Sequence, residues 1–174
     1  PFNDYYGTYR AMEEAYKEGK LRAIGVSNFY SDRLIDLIQF NEVVPAVNQV
    51  ETHVFYQQKK AHEIMEKYDV QHQSWGPFAE GRNDMFSNET MKKIGDKYGK
   101  TVAQTALRFL IQNDVIVIPK TTHKERMIEN FSVFDFSLSE EDMKTIAELD
   151  KEESLFFSHY DPDTVEYLTG LGKE

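Results

Sequence analysis

Cysteine is absent from this chain, which excludes disulfide cross-links and thiolate chemistry; a reducing compartment is compatible, and the cytoplasm is the expected location. Long apolar runs are missing as well. None approaches the roughly 20 residues that a membrane span needs, and the amino terminus carries no signal-peptide pattern. Positive charge is scarce: 20 Lys and Arg stand against 30 Asp and Glu, a formal net charge of −10. That balance argues against non-specific attachment to nucleic acid or to an anionic membrane. There is one tryptophan, Trp75, and there are five prolines. The chain opens at Pro1 and not at methionine, and the expectation drawn from this is a segment of something longer.

What is present fits a soluble α/β domain. The chain has 174 residues, 40% of them apolar and 29% charged, enough for one domain with a sizeable core. Thr8 to Lys20 reads as a helix with an apolar stripe of Tyr9, Met12 and Tyr16. Leu21 to Val26 reads as a strand. Ser31 is the expected N-cap of a helix whose inner face is Leu34, Leu37 and Ile38. The strand Ala46 to Val50, a helix from Gln57 to Tyr68 and a strand from Val70 to Trp75 come next. Alternating strands and helices at near-regular spacing predict parallel strands joined by crossovers. After a turn-rich loop, Gly76 to Gly81, helices are expected from Ser87 to Tyr98 and from a capping box at Thr101 and Gln104 to about Gln112. The strand Val115 to Ile118, a helix from His123 to Asn130 and a helix begun by Ser139 and Asp142 complete the count at four βα units. Residues 151–174 are too aromatic for a disordered tail and are expected to pack across something.

Two loops carry chemistry. Between Lys120 and Arg126 three cations face one anion, Glu125, at a strand's carboxyl end and the next helix's amino end. In an α/β protein that is where phosphate groups are held, and Lys and Arg supply charge-assisted bonds to them. An ordinary solvated βα loop is the bland alternative. Ser27 and Asn28 follow another strand, where they could be turn residues, and Gln49 sits inside a strand, where a buried amide needs partners. His53, His62, His72, His123 and His159 show no metal-ligand spacing. Gln71, His72 and Gln73 make one strand unusually polar.

Several segments together resemble the aldo-keto reductase family. They are Ala11-Met12-Glu13-Glu14 with Glu18-Gly19-Lys20, Ile24 to Phe29, Asn48-Gln49-Val50-Glu51, Trp75-Gly76-Pro77, Ile118 to Thr121, Arg126 with Glu129-Asn130, and Val133 to Phe136. Trp75-Gly76-Pro77 and the ending Phe156 to Pro162 look most like the bacterial 2,5-diketo-gluconate reductase and glyoxal reductase branch. The resemblance implies the carboxyl-terminal half of a (β/α)8 TIM barrel: about four βα units and an extra helix over residues 1–150, then a substrate-side loop over 151–174. It implies NADPH as cofactor, a small carbonyl compound as substrate, and a monomer when full length.

Roles follow by the same resemblance. Ser27, Asn28 and Gln49 would hold the nicotinamide amide, and Trp75 would stack on its ring, although a core aromatic is the default for a tryptophan. The loop of Gly76, Pro77, Phe78 and Gly81 would approach the pyrophosphate. Lys120, Thr121, Thr122 and Arg126 would take the 2′-phosphate, and Glu129 and Asn130 the adenine edge. Trp75, Phe156, Phe157 and His159 would wall the substrate pocket. The family's catalytic Asp, Tyr, Lys and His all precede the segment matching Pro1, so no catalytic residue is assigned and the chain alone is expected to be inactive. The rivals are a non-catalytic NADPH-binding regulatory protein on the same scaffold, and a free-standing open-sheet domain without cofactor.

Overall fold

A computed structural model describes residues 5–171. Four parallel strands, β1 (Val26–Ser27), β2 (Val47–Glu51), β3 (Gln71–Trp75) and β4 (Ile116–Val117), lie side by side in chain order. Helix α1 (Tyr5–Lys17) precedes them, and α2 (Ser31–Gln39) and α3 (Lys59–Lys67) lie between successive strands. Two 3₁₀ turns (Ala79–Gly81 and Met85–Ser87), α4 (Glu89–Tyr98) and α5 (Val102–Gln112) separate β3 from β4. Helices α6 (Lys124–Phe131), α7 (Glu140–Ala147) and α8 (Pro162–Gly170) follow. No helix among the described residues is long and apolar enough to cross a membrane.

The outer strands are shorter than the apolar runs suggest. β1 keeps only Val26 of the expected six residues and adds Ser27, and β4 keeps two of four, because each pairs on one side only, β1 with β2 and β4 with β3. β2 and β3, paired along five residues, are longer.

Local signals fix several helix ends. The Thr101 hydroxyl accepts from the Gln104 amide while the Gln104 side chain accepts from the Thr101 amide, the reciprocal box that starts α5. Asn88 and Ser139 cap α4 and α7 by the same use of a side-chain oxygen, and Gly99 ends α4 at φ 64°. Ser31 is not a cap. It is the first helical residue of α2, and the residue in the cap position is Tyr30, with extended backbone and no capping bond. Helix α8, capped by Asp161, was not anticipated; it gives the aromatic tail a regular end.

The expected stripe on α1 also needs correcting. Tyr9 is buried but Tyr16 is exposed, and the second buried position is Glu13, one turn along. Its carboxylate accepts from the amides of Glu42 (2.8 Å) and Val43 (2.6 Å), while the Tyr9 hydroxyl donates to the Val43 carbonyl at 2.8 Å. A buried acid is tolerated there because backbone donors meet it.

Alternation along β2 and β3 sends Asn48, Val50, His72 and Ser74 to the helix-covered face, where all four are buried. Leu34, Met65 and Val70 pack with Val50 between α2, α3 and the sheet. A larger cluster, with Met91, Ile94, Phe109, Leu110 and Ile146, joins α4, α5 and α7. The polar strand now has a physical account. Gln71 donates to the Asp114 carbonyl at 2.6 Å, and the Gln49 amide donates to Gln73 Oε1 at 2.6 Å. His72 lies 2.7 Å from Thr52 Oγ1 and, through Nδ1, 3.0 Å from His62 Nδ1. Every polar side chain on that strand is matched.

Candidate functional site

The opposite face of the sheet carries Gln49, Glu51, Gln73 and Trp75, adjacent in register as Gln49 beside Gln73 and Glu51 beside Trp75. Ser27 stands next to Gln49 on the other side. At this end the first three strands converge. The Ser27 hydroxyl donates to the Gln49 carbonyl (3.0 Å), which also accepts from the Asn28 amide (2.8 Å). Asn28 has φ 57°, a left-handed conformation that Asn enters more readily than most residues. That geometry lets its Oδ1 accept from Trp75 Nε1 at 2.8 Å, spanning from β1 to β3. Asn48 holds the next residue, donating to the Phe29 carbonyl at 2.7 Å and accepting from its amide at 3.3 Å. The four residues expected to serve one flat amide-bearing ring are therefore assembled at one place.

The loop after Trp75 turns through four positive-φ residues, Gly76, Ala79, Glu80 and Gly81. A side chain at Gly76 would meet nothing within 4 Å, so the backbone there is open to approach. Phe78 leans on Phe86 with ring centroids 5.7 Å apart, and Pro77 is buried.

Beyond the loop, Arg82 reaches back across the strand ends, its guanidinium 4.1 Å from the Phe156 ring centroid and donating to the Leu155 carbonyl. Residues 151–160 thus cross the sheet end as a strap. It starts where the Lys151 amide donates to the Phe55 carbonyl (2.9 Å). Phe156 meets Trp75 edge-on at 5.1 Å, Phe157 lies nearly parallel to the indole at 6.0 Å, and the His159 amide donates to the Tyr30 hydroxyl at 3.0 Å.

The strap divides the space above the strands. A pocket of about 360 Å³ is bounded by Ser27, Asn28, Tyr30, His159 and Leu168. A broader cleft of about 640 Å³ lies on the other side, with Tyr56, Phe156 and Phe157 in its wall. His159 and the two phenylalanines, expected in one substrate wall, border different cavities. Burial lowers the His159 pKa from its ordinary value, so the ring is neutral at pH 7, and its Nε2 has no hydrogen-bond partner among the described residues.

The phosphate-type residues lie after β4, the strand next to Trp75's own. Lys120, Thr122 and Arg126 are exposed, and the Thr121 hydroxyl accepts from the His123 amide at 3.1 Å, closing the turn into α6. Glu129 is already engaged: one carboxylate oxygen accepts from the Thr101 hydroxyl at 2.6 Å, and its carbonyl accepts from Gln104. Asn130 beside it is half-buried. Tyr5, beside Tyr6 at the start of α1, lines the edge of the smaller pocket. Both hydroxyls donate to Asp36, and Tyr5 meets Phe29 edge-on.

Sequence reasoning missed Gln73, Arg82 and the cluster around Glu51. The carboxylate of Glu51 is buried at 5% exposure and lies 3.1 Å from His53 Nε2. A charged residue ending an apolar strand was the available signal, since a buried carboxylate must find donors.

Comparison with known proteins agrees with this architecture. Residues 1–151 match the Aldo/keto reductase family. The chain is 43% identical over 149 residues to glyoxal reductase of Bacillus subtilis (strain 168), covering 86% of this chain and 53% of that protein. It is 37% identical over 147 residues to methylglyoxal reductase DkgA of Escherichia coli (strain K12), covering 84% of this chain and 54% of that protein. Among solved structures, an aldo-keto reductase enzyme from a Medee basin deep-sea metagenome library superposes with a TM-score of 0.89 at 42% identity, over 92% of this chain and 60% of that one. The aldo-keto reductase of the silkworm, Bombyx mori, complexed with NADPH, gives 0.79 at 37% identity, over 84% and 47%. The chain belongs to the aldo/keto reductase family, and its sheet with surrounding helices is a partial (β/α)8 barrel. It spans about half the length of the curated relatives it matches.

Proposed function

We propose that the end of the sheet bearing Ser27, Asn28, Gln49 and Trp75 is the nicotinamide end of an NADPH groove, and that the protein containing these residues reduces aldehydes or ketones to alcohols. The observation that carries this reading is the convergence itself: two amides, a hydroxyl and the only indole meet at the tops of three adjacent strands. That donor set fits a carboxamide, which needs acceptors for its N–H groups and a donor for its oxygen. Similarity to an aldo-keto reductase crystallised with NADPH supports the choice of cofactor.

Bound NADPH supplies the hydride that reduces a carbonyl carbon. The chain's own residues bind and orient. Gln49 and Asn28 fix the amide end, Trp75 offers its apolar face, and the Gly76–Gly81 backbone with Pro77 and Phe78 lies along the path to the phosphates. Lys120, Thr121, Thr122 and Arg126 take the 2′-phosphate. Asn130 takes the adenine edge, with Glu129 contributing its second carboxylate oxygen. Phe156 and Phe157, brought beside Trp75 by the strap, exclude water from the carbonyl. No residue here is assigned the proton transfer, so the 174 residues by themselves bind cofactor without turnover.

Trp75 provides the test. Titrating the chain with NADPH should quench its tryptophan emission saturably, Trp75→Ala should abolish the signal, and Gln49→Leu should weaken binding by about tenfold, the loss of one good hydrogen bond. No quenching by millimolar NADPH in a folded sample would sink the proposal. Steady oxidation of NADPH with a carbonyl compound by these residues alone would overturn the assignment of no proton donor.

A further inference from the structure

Buried under the strap is a carboxylate that three groups meet. Glu51 Oε1 accepts from the Leu155 amide at 2.9 Å and lies 3.1 Å from His53 Nε2, while Oε2 accepts from the Ser154 hydroxyl. The Ser154 oxygen is in turn the acceptor for the Phe156 and Phe157 amides, both at 3.1 Å. One carboxylate thus sets the hydroxyl that sets two consecutive amides. Those two residues are the ones whose rings meet Trp75. Glu51 is itself the register partner of Trp75. The last rung of the β2–β3 ladder therefore carries the indole on one strand and the anchor of its aromatic neighbours on the other.

The alternative, a carboxylate merely solvating itself, accounts poorly for the pattern. A buried acid needs donors, but His53 and one amide would suffice. Two of the three donors, the Ser154 hydroxyl and the Leu155 amide, come from 103 and 104 residues away in sequence, so the carboxylate ties one turn of the strap to β2 at both of its oxygens. Charge-assisted acceptance is also the strong form of the bond, suited to holding an otherwise exposed segment in place.

We propose that Glu51 is a positioning residue: through Ser154 it seats the strap so that Phe156 and Phe157 close the groove beside Trp75. The assignment rests on the reading of this face as the nicotinamide end, but its test needs no cofactor. In the 174-residue chain Trp75 is the sole tryptophan, so its emission reports the seating of the strap directly. Ser154→Ala and Glu51→Gln should each shift that emission to the red, as Phe157→Ala does. Chymotryptic cleavage after Phe156 and Phe157 should accelerate about tenfold, the effect of a local opening made easier by one charge-assisted bond. Ser154→Thr, which keeps the hydroxyl, should restore both signals. Far-UV circular dichroism should remain that of the parent throughout. If Glu51→Gln disturbs the sheet, Ser154→Ala and its threonine rescue decide alone, because Ser154 lies outside every strand. Parent-like emission and cleavage in Ser154→Ala would overturn the proposal. Loss of NADPH quenching with these effects intact would refute the cofactor reading and leave the latch standing.

Discussion

Lys120 and Arg126 show how much a single charge can be asked to do. Both are exposed, at the mouth of α6, and each charge-assisted bond to a phosphate is worth about 1.5–3 kcal/mol. Replacing either by Ala should weaken NADPH binding by about 10- to 100-fold and leave NADH binding unchanged, a contrast that parallel fluorescence titrations would measure. His72 poses a different question, one of stability. Burial first, and then the neighbouring His62, push its pKa down from 6.5 to about 3. The folded state therefore holds fewer protons than the unfolded chain below pH 6.5. Its contribution is complete above that pH and is lost as pH falls toward 3. Urea midpoints measured from pH 7 to 5 should fall for the parent and fall less for His72→Gln. An equal slope in both would assign the effect to the other histidines.

At the scale of elements, the chain entering β1 packs closely on β2. A Cβ at Gly25 would come within 2.4 Å of Val47 Cγ1 and 2.8 Å of the Val47 carbonyl oxygen. Gly25→Ala should cost about 1–3 kcal/mol by overpacking, and because Ser27 and Asn28 follow directly it should also weaken NADPH quenching. Equilibrium unfolding together with the titration would check both halves. Helices were legible where a cap or an apolar period spoke locally, as at Thr101 with Gln104, Ser139 and Gly99. Strand lengths were not, because β1 and β4 are cut short by having one neighbour each, a fact that no residue within them encodes. That Ser27, Asn28, Gln49 and Trp75 gather at one end of the sheet was readable from their places at strand ends. Glu51 was not, since its partners, Ser154 and Leu155, lie a hundred residues on. The burial of Glu13 was missed for the same reason: its donors sit in the loop before β2, and a helical wheel shows nothing of them.

The molecule as a whole leaves an apolar surface uncovered at the β4 side. Ile118, Met127, Ile128, Phe131 and Phe134 are each more than half exposed, with Phe131 at 78%, and Phe131 and Phe134 meet edge-on. Patches of this kind seldom stay bare on a monomer. The net charge of −10 opposes association at low ionic strength, and salt screens it. Sedimentation of the 174-residue chain should therefore show self-association that grows between about 10 and 500 mM salt, and Phe131→Ser with Phe134→Ser should suppress it. Salt-independent monomers would show that the patch is harmless.

The bond between Gln49 and Gln73 has a direction, and direction is information. The amide nitrogen of Gln49 gives its proton to the carbonyl of Gln73, which leaves the oxygen of the first and the NH₂ of the second outside that bond. A guest with its own carboxamide can extend that pair at either end only in one sense, its N–H toward the first glutamine or its oxygen toward the second. Two side chains of one kind, read in order, are thus enough to tell such a guest's front from its back.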